Sequence, residues 1–376
     1  MRNILKKCWL LFFCFNFCGC FGSLELNERL FVTAIAFDAA KAKKEKMLIT
    51  IQAPVPAAME QKEGGGKDKK PFITFSTEAE TVGQGLANLQ KRLERTIFIG
   101  HTHTLLFSQD FARNEGIEKA LDFFKREQQV QRTAQLAVVE GEAREVFKVK
   151  PPLEDTPASY IFSLLMQERR SSFDLQTDLG KYLVLDGEVG IEPILARIKK
   201  NGRTLDASGA ALIKKGKLAG WLTAREARGL SFLTGEFDFA RFQIPYPRIK
   251  SRYVMVNLRN IRPAYRIKID KKQNIEVAVH INGIFDTREF TFPMGPNKSM
   301  EKEVTTSVNR RIKNEAMMAV RKIQACNTDV LGVGRKIYTR SPGLWHKINW
   351  DEKFPAVKIK VIPKVTGFIT IRRVGK

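Results

Sequence analysis

Apolar residues along this chain switch between two spacings, and the switches mark out the elements. Leu30 to Phe37 and Met47 to Val55 are short, β-branched apolar runs, as buried strands are, with a polar turn from Asp38 to Lys46 between them. Phe72 to Thr77 alternates with a period of two and predicts a further strand. The period then lengthens: Val82, Leu86, Leu89 and Leu93 recur at helical spacing, so that helix buries one face. Thr81-Val-Gly-Gln84 ahead of them reads as a capping box, in which side chains satisfy the free N–H groups of a helix start. Thr104 to Phe107 predicts a strand, Gly116 to Arg126 a helix, Thr133 to Val139 a strand, and Ala143 to Phe147 a short helix. Strands alternating with helices point to an α/β layer structure.

Pro151, Pro152 and Pro157 interrupt this pattern before a helix from Ala158 to Ser171. Pro193 and the charged stretch Lys199 to Arg203 read as a linker. The main boundary therefore falls near residue 203, with a lesser break near 151. Beyond it, Ser208 to Ile213 and Leu218 to Trp221 flank a Lys-Lys-Gly-Lys turn and form a hairpin. Thr223-Ala-Arg-Glu226 is a second capping box, opening a helix that stops at Gly235. Tyr253 to Asn257, Ala264 to Ile269, Ile275 to Ile284 and Thr287 to Phe292 predict several antiparallel strands. From Asn297 to Asn327, Met300, Val304, Val308, Ile312, Ala316, Ala319 and Ile323 lie on one stripe, so a long helix should cross that sheet. Strands around Val357 to Val361 and Thr366 to Arg372 close the chain. The expectation is a multi-domain α/β (α+β) protein. Residues 20–202 form an N-terminal region and 203–376 a C-terminal domain with a long helix across an antiparallel sheet.

The first 19 residues follow a different logic. Arg2, Lys6 and Lys7 precede an apolar run, Cys8 to Phe17, too short to span a bilayer. Cys18, Gly19 and Cys20 then complete a bacterial lipoprotein signal, in which the Cys20 thiol would carry a diacylglycerol. Phe17 stands where such signals usually have Leu. An ordinary signal peptide or an uncleaved anchor are the alternatives. The lipoprotein reading predicts a protein tethered to the outer face of the cell membrane. Four of the five cysteines lie in or at the end of this segment, leaving only Cys326 in the body and no intramolecular disulfide. Cys326 reads as a small buried apolar residue.

The formal net charge is +24. Nucleic acid is the usual partner of so basic a chain. The export signal argues against that, and the basic residues are spread along the whole length. An anionic membrane surface or wall polymer fits better, with a merely solvated basic surface as the alternative.

Catalytic signatures are missing from the sequence. There is no Gly-x-Ser-x-Gly, no His-Glu-x-x-His, and no Cys-x-x-Cys after the signal. The Gly-Gly-Gly-Lys between residues 64 and 67 lacks the spacing and hydroxyl of a phosphate loop. His101 and His103 would share a strand face, but no third metal ligand is evident. His280 and His346 read as packing residues. Asp174, Asp178, Asp186, Glu188 and Glu192 form an acidic cluster that reads as a solvated loop rather than an acid–base pair. Gly332-Val-Gly334-Arg335 reads as a helix cap and turn, and Trp345 and Trp350 as pins for the last loop. No enzyme activity, cofactor or metal is expected.

The order of segments resembles the spore germination lipoproteins of the GerC type, the C subunits of nutrient germinant receptors. Three blocks carry the resemblance. Leu24-Glu25-Leu26-Asn27-Glu28 leads into Val32 to Asp38; Leu89 to Arg95 leads into Gly100-His101 and Leu105-Leu106-Phe107. Gly209 to Leu212 and Lys217 to Leu222 precede Glu226, Arg228-Gly229 and Leu233-Thr234-Gly235. Phe21-Gly22 replaces the family's usual Trp-Asp after the lipid cysteine, and Ala34 and Ala36 stand where glycine is common. The resemblance implies three α/β domains on the outer surface of the spore inner membrane, beside integral-membrane A and B subunits. It implies a need for the protein in germination and no catalysis. A solute-binding lipoprotein of a transporter is the competing reading, disfavoured because the two halves differ in pattern and show no repeat.

Overall fold

The computed structural model describes residues 25–40, 46–56, 70–171, 177–236, 239–246, 249, 251–291 and 298–369. The signal segment and Cys20 lie outside these residues, as does Asp174. Among the described residues two large sheets carry the fold.

The first sheet grows outward from apolar strands. It uses β2 (Ala34–Ala39), β3 (Met47–Pro54), β4 (Phe72–Ala79), β6 (Thr104–Ser108) and β7 (Gln135–Val139). It continues through β8 (Ile194–Asn201), β10 (Ala210–Lys214) and β11 (Lys217–Leu222), in the order β11-β10-β8-β7-β6-β2-β3-β4. A short β9 (Thr204–Asp206) pairs with the end of β8. The middle run β2-β6-β7-β8 is parallel, and the strands at either side join antiparallel. Every residue of β6 and β7 is buried, because helices cover both faces; that is why these strands read as unbroken apolar runs. A separate parallel pair, β1 (Arg29–Phe31) with β5 (Thr96–Phe98), sits beside the main sheet.

One face of this sheet packs on α1 (Val82–Gln90), α2 (Glu118–Arg126) and α4 (Leu179–Asp186), with Phe37, Phe107, Phe111 and Phe124 at its centre. The other packs on a 3-10 helix, Ala143–Lys148, and on α3 (Pro157–Ser171), around Val146, Phe147 and Ile161. Thr81 caps α1 as expected, accepting the N–H of Gln84 at 3.2 Å. The Gln84 side chain accepts from Glu80 rather than from Thr81, so the reciprocal half of the box is displaced by one residue.

Three features depart from the sequence reading. The stretch read as a linker at Lys199 to Arg203 is the end of β8 and its turn into β9; its charges are the exposed tip of a hairpin. Part of the stretch read as an acidic loop is the helix α4, started by Asp178, whose carboxylate accepts the N–H of Lys181 at 2.8 Å. The first sheet also runs past residue 203, since β10 pairs directly with β8.

The second sheet has the order β12-β13-β14-β15. Runs that the sequence divides are continuous here. β13 spans Tyr253–Ile269, β14 spans Ile275–Phe290 and β15 spans Lys358–Phe368. The β13–β14 ladder carries bulges, one of them between Arg259 and Arg262, where Asn260 adopts φ +54°, while β15 pairs with β14 in unbroken register through Pro363. β12 (Phe239–Pro245), unread in the sequence, alternates buried and exposed as an edge strand does. β12, β13 and β14 are antiparallel, while β15 joins β14 in parallel. One face is covered by α5 (Ala224–Thr234) and the 28-residue α6 (Lys298–Ala325). All seven stripe residues of α6 are buried in that core.

Candidate functional site

Between the first sheet and the helices beyond α6 lies a cleft of about 350 Å³. One wall is the end of α4, the following loop to Pro193, and the β10–β11 turn. The opposing wall comprises Asp329, Trp345 and Asn349 to Asp351. These belong to the loops around α7 (Val333–Arg340), α8 (Pro342–Trp345) and α9 (Trp350–Lys353).

Asp329 organises that second wall. Its carboxylate accepts the N–H groups of Val333 (3.1 Å) and Gly334 (2.7 Å), and the indole N–H of Trp350 (3.2 Å). It thereby caps α7 and fastens Trp350 to it. Burial outweighs these three bonds and raises its pKa to about 6. Gly334 packs against Trp350; a Cβ there would come within 2.6 Å of the indole nitrogen. Trp350 is buried, so it pins the last loop as its spacing suggests.

Contacts across the cleft are ionic and backbone-mediated. Lys214 and Lys215, on the β10–β11 turn, reach Asp351 at 2.6 Å each and hold its carboxyl below the usual range. Glu192 lies 3.4 Å from Lys214, and its own N–H donates to the Asp329 carbonyl at 3.0 Å. Burial raises the Glu192 pKa. Arg335 pairs with Glu188, and its N–H donates to the Gly190 carbonyl at 2.8 Å. Gly190 (φ +73°) has no room for a side chain, because a Cβ would sit 2.5 Å from the Arg335 nitrogen.

The predicted acidic cluster is thus distributed over separate tasks. Asp178 caps α4, Asp186 pairs with Lys125 at 2.8 Å, Glu188 with Arg335, and Glu192 with Lys214. Among the described residues no Ser, Thr, Cys or His lines the cleft. Each lining carboxylate is already engaged by a cation or N–H donor, so the arrangement fastens the two walls of the cleft together. Lys214, Asp329 and Asp351 are missed by sequence reading; they are over 100 residues apart in part, and no local spacing joins them.

The remaining candidates fall elsewhere. His101 stacks on Phe31 with ring centroids 4.9 Å apart. His103 packs on Phe162 at 4.7 Å, and burial lowers its pKa to about 4. Both precede β6, so strand alternation does not apply to them. Among the described residues, no three His, Cys, Asp or Glu side chains gather as a metal-binding set. His346 is exposed and His280 lies on the uncovered face of the second sheet; neither is the packing residue its sequence context suggested. Cys326 is half-buried, its sulfur against Gly220, and burial raises its pKa.

Two of the three sequence blocks acquire structural reasons. Asp38, next to the end of β2, accepts the N–H groups of Ala143 (2.6 Å) and Arg144 (3.0 Å), fixing the 3-10 helix to the sheet. Thr223 and Glu226 form a complete capping box, and Gly235 ends α5 in the left-handed conformation. Arg228 forks onto Glu315 of α6 with two 2.6 Å bonds. The result is a two-sheet α/β body fastened by a buried helix crossing and a salt-bridged joint. The comparisons name it further. Residues 22–200 match the spore germination protein N-terminal domain, and residues 208–375 the spore germination B3/GerAC-like C-terminal domain. The chain belongs to this family of GerC-type germinant receptor subunits. It is 22% identical to spore germination protein KC of Bacillus subtilis (strain 168), over 91% of this chain and 90% of that one. Its identity to spore germination protein GerQC of Bacillus cereus is 22%, over 96% and 97%. The crystal structure of the GerBC protein superposes with a TM-score of 0.58 at 16% identity, covering 89% of this chain and 96% of that one. No described helix is long and apolar enough to cross a membrane.

Proposed function

We propose that this protein is a lipid-anchored, non-enzymatic subunit of a nutrient germinant receptor, held on the outer face of the spore inner membrane beside integral-membrane A and B subunits. The observation that carries the reading is the match of both halves, in order and nearly end to end, to one germination family. The cleft supports it: its charged groups bind one another, which suits a rigid adaptor and leaves no group free for chemistry. Anchoring rests on Cys20. Seven residues, Phe21 to Asn27, separate it from the body, at most ~25 Å when extended, so the body stays close to the bilayer.

The Cys20→Ala variant should lose lipid labelling, leave the membrane fraction, and no longer co-purify with membrane-embedded receptor subunits. Normal nutrient germination by spores that carry only this soluble form would overturn the anchoring role.

A further inference from the structure

We propose that the uncovered face of the second sheet lies against the bilayer and binds anionic phospholipid headgroups; the idea rests on the membrane-anchored reading above. Among the described residues, helices α5 and α6 cover one side of β13, β14 and β15 and no element covers the other. On the other side, β13 presents Arg262, Arg266 and Lys268, and β15 presents Lys358, Lys360 and Lys364. All six are exposed. The two rows flank β14, whose Ala278, His280 and Asn282 form a low floor between them. Rows on either side of one strand stand ~10 Å apart, and successive outward side chains along a strand are ~7 Å apart. The result is a broad lattice of flexible positive charge rather than a pocket for one small anion.

The sign of this surface is its informative property. Across the whole chain, 64 basic residues face 40 acidic ones. Alongside Glu276 to Asn282 of β14, six basic side chains meet one carboxylate among the described residues, Glu276, which is tied to Lys360; Asp286, farther along, is already held by Arg259 and Arg288. Arg262, Arg266, Lys358 and Lys364 make no ion pair among the described residues. A solvated face normally mixes both signs. Lysines that merely guard a sheet edge need not line up in two rows on one face. Farther along the same face, Ile284 (39% exposed) and Phe368 (57% exposed) add apolar side chains able to enter a headgroup layer. Charge complementarity therefore selects an anionic bilayer as the occupant.

The test uses residues 20–376 with Cys20→Ala, so that no acyl chain contributes. Co-sedimentation is measured with vesicles of phosphatidylglycerol and phosphatidylcholine (30:70), and with phosphatidylcholine alone, near 0.1 M salt. Neutralising Arg262, Arg266, Lys358 and Lys364 to Gln should lower partitioning onto the anionic vesicles at least tenfold. Neutralising Lys199, Lys200 and Arg203 to Gln, on the exposed β8–β9 hairpin, should change it less than threefold. Circular dichroism and melting temperature check that both variants fold. Equal losses in the two variants, or no loss in either, would overturn the proposal, as would capture of an acidic soluble loop of a membrane subunit by the same four residues without vesicle binding. Co-purification of the lipidated four-site variant with the receptor subunits is scored separately. Failure of the unmodified protein in that assay would sink the receptor reading, whereas the vesicle comparison would still decide the face.

Discussion

Asp38, near the end of β2, and His103, just ahead of β6, titrate in opposite senses. Asp38 is 3% exposed, and burial outweighs its two N–H bonds, raising its pKa from 3.8 to about 6. Folding therefore favours its protonated form. Its contribution is complete below pH ~4 and is lost as pH rises through 6, on the order of 3 kcal/mol. Asp329 works in the same direction. His103 is the reverse case, with its pKa lowered from 6.5 to about 4, so its contribution is present above pH 6.5 and lost as pH falls through 4. Between pH 7 and pH 4.5 the groups oppose one another. The Asp38→Asn variant should lose stability more steeply on acidification than the parent, and His103→Asn should gain. Urea midpoints at the two pH values would show this; parallel shifts in both variants would refute it.

At the scale of elements, the crossing of α5 over α6 determines the second core. Gly229 brings the helices so close that a Cβ would sit 2.0 Å from the Glu315 carbonyl oxygen. Beside it Glu315, 3% exposed, receives both Arg228 and Arg311 at 2.6 Å. Gly229→Ala must push the helices apart and should cost about 1–3 kcal/mol or more. Glu315→Ala leaves two guanidinium groups facing each other and should cost about 3–5 kcal/mol. Guanidinium titration of each variant measures both, and a midpoint unchanged in Gly229→Ala would disprove the close crossing. Much at this scale was legible in the sequence. The stripe of α6, the Thr223 box and the Gly235 stop rely on contacts within a few residues, which spacing encodes. The misreadings share a cause. Lys199 to Arg203 looked like a linker because a hairpin tip is as charged as one. β13 and β14 looked like four strands because bulges place polar residues inside a ladder. α4 is short and flanked by acids, so its one buried face, Leu179 and Tyr182, gave a weak period.

The whole molecule depends on partners distant in sequence, where the chain gives few clues. Lys214 and Asp351 meet across the cleft, as do Gly190 and Arg335. Nothing in either local stretch announces the other. Family resemblance supplied the role, while the site that joins the body emerged only from the packed chain. The six basic residues on the open sheet face were individually visible in the sequence, yet their alignment required the register of β13, β14 and β15.

The first sheet's passage through residue 203 has a practical meaning for anyone dividing this protein. The family models part at 200 and 208, which invites expression of two pieces. A cut there would strip β10 and β11 from β8 and leave a raw row of amide and carbonyl groups on the larger fragment. The smaller fragment would carry an orphan hairpin. Neither half should behave as an autonomous module: calorimetry of the intact protein should show a single cooperative endotherm, and the fragment ending at 202 should self-associate when made alone. Inheritance in two recognisable blocks, in this protein, does not amount to independence.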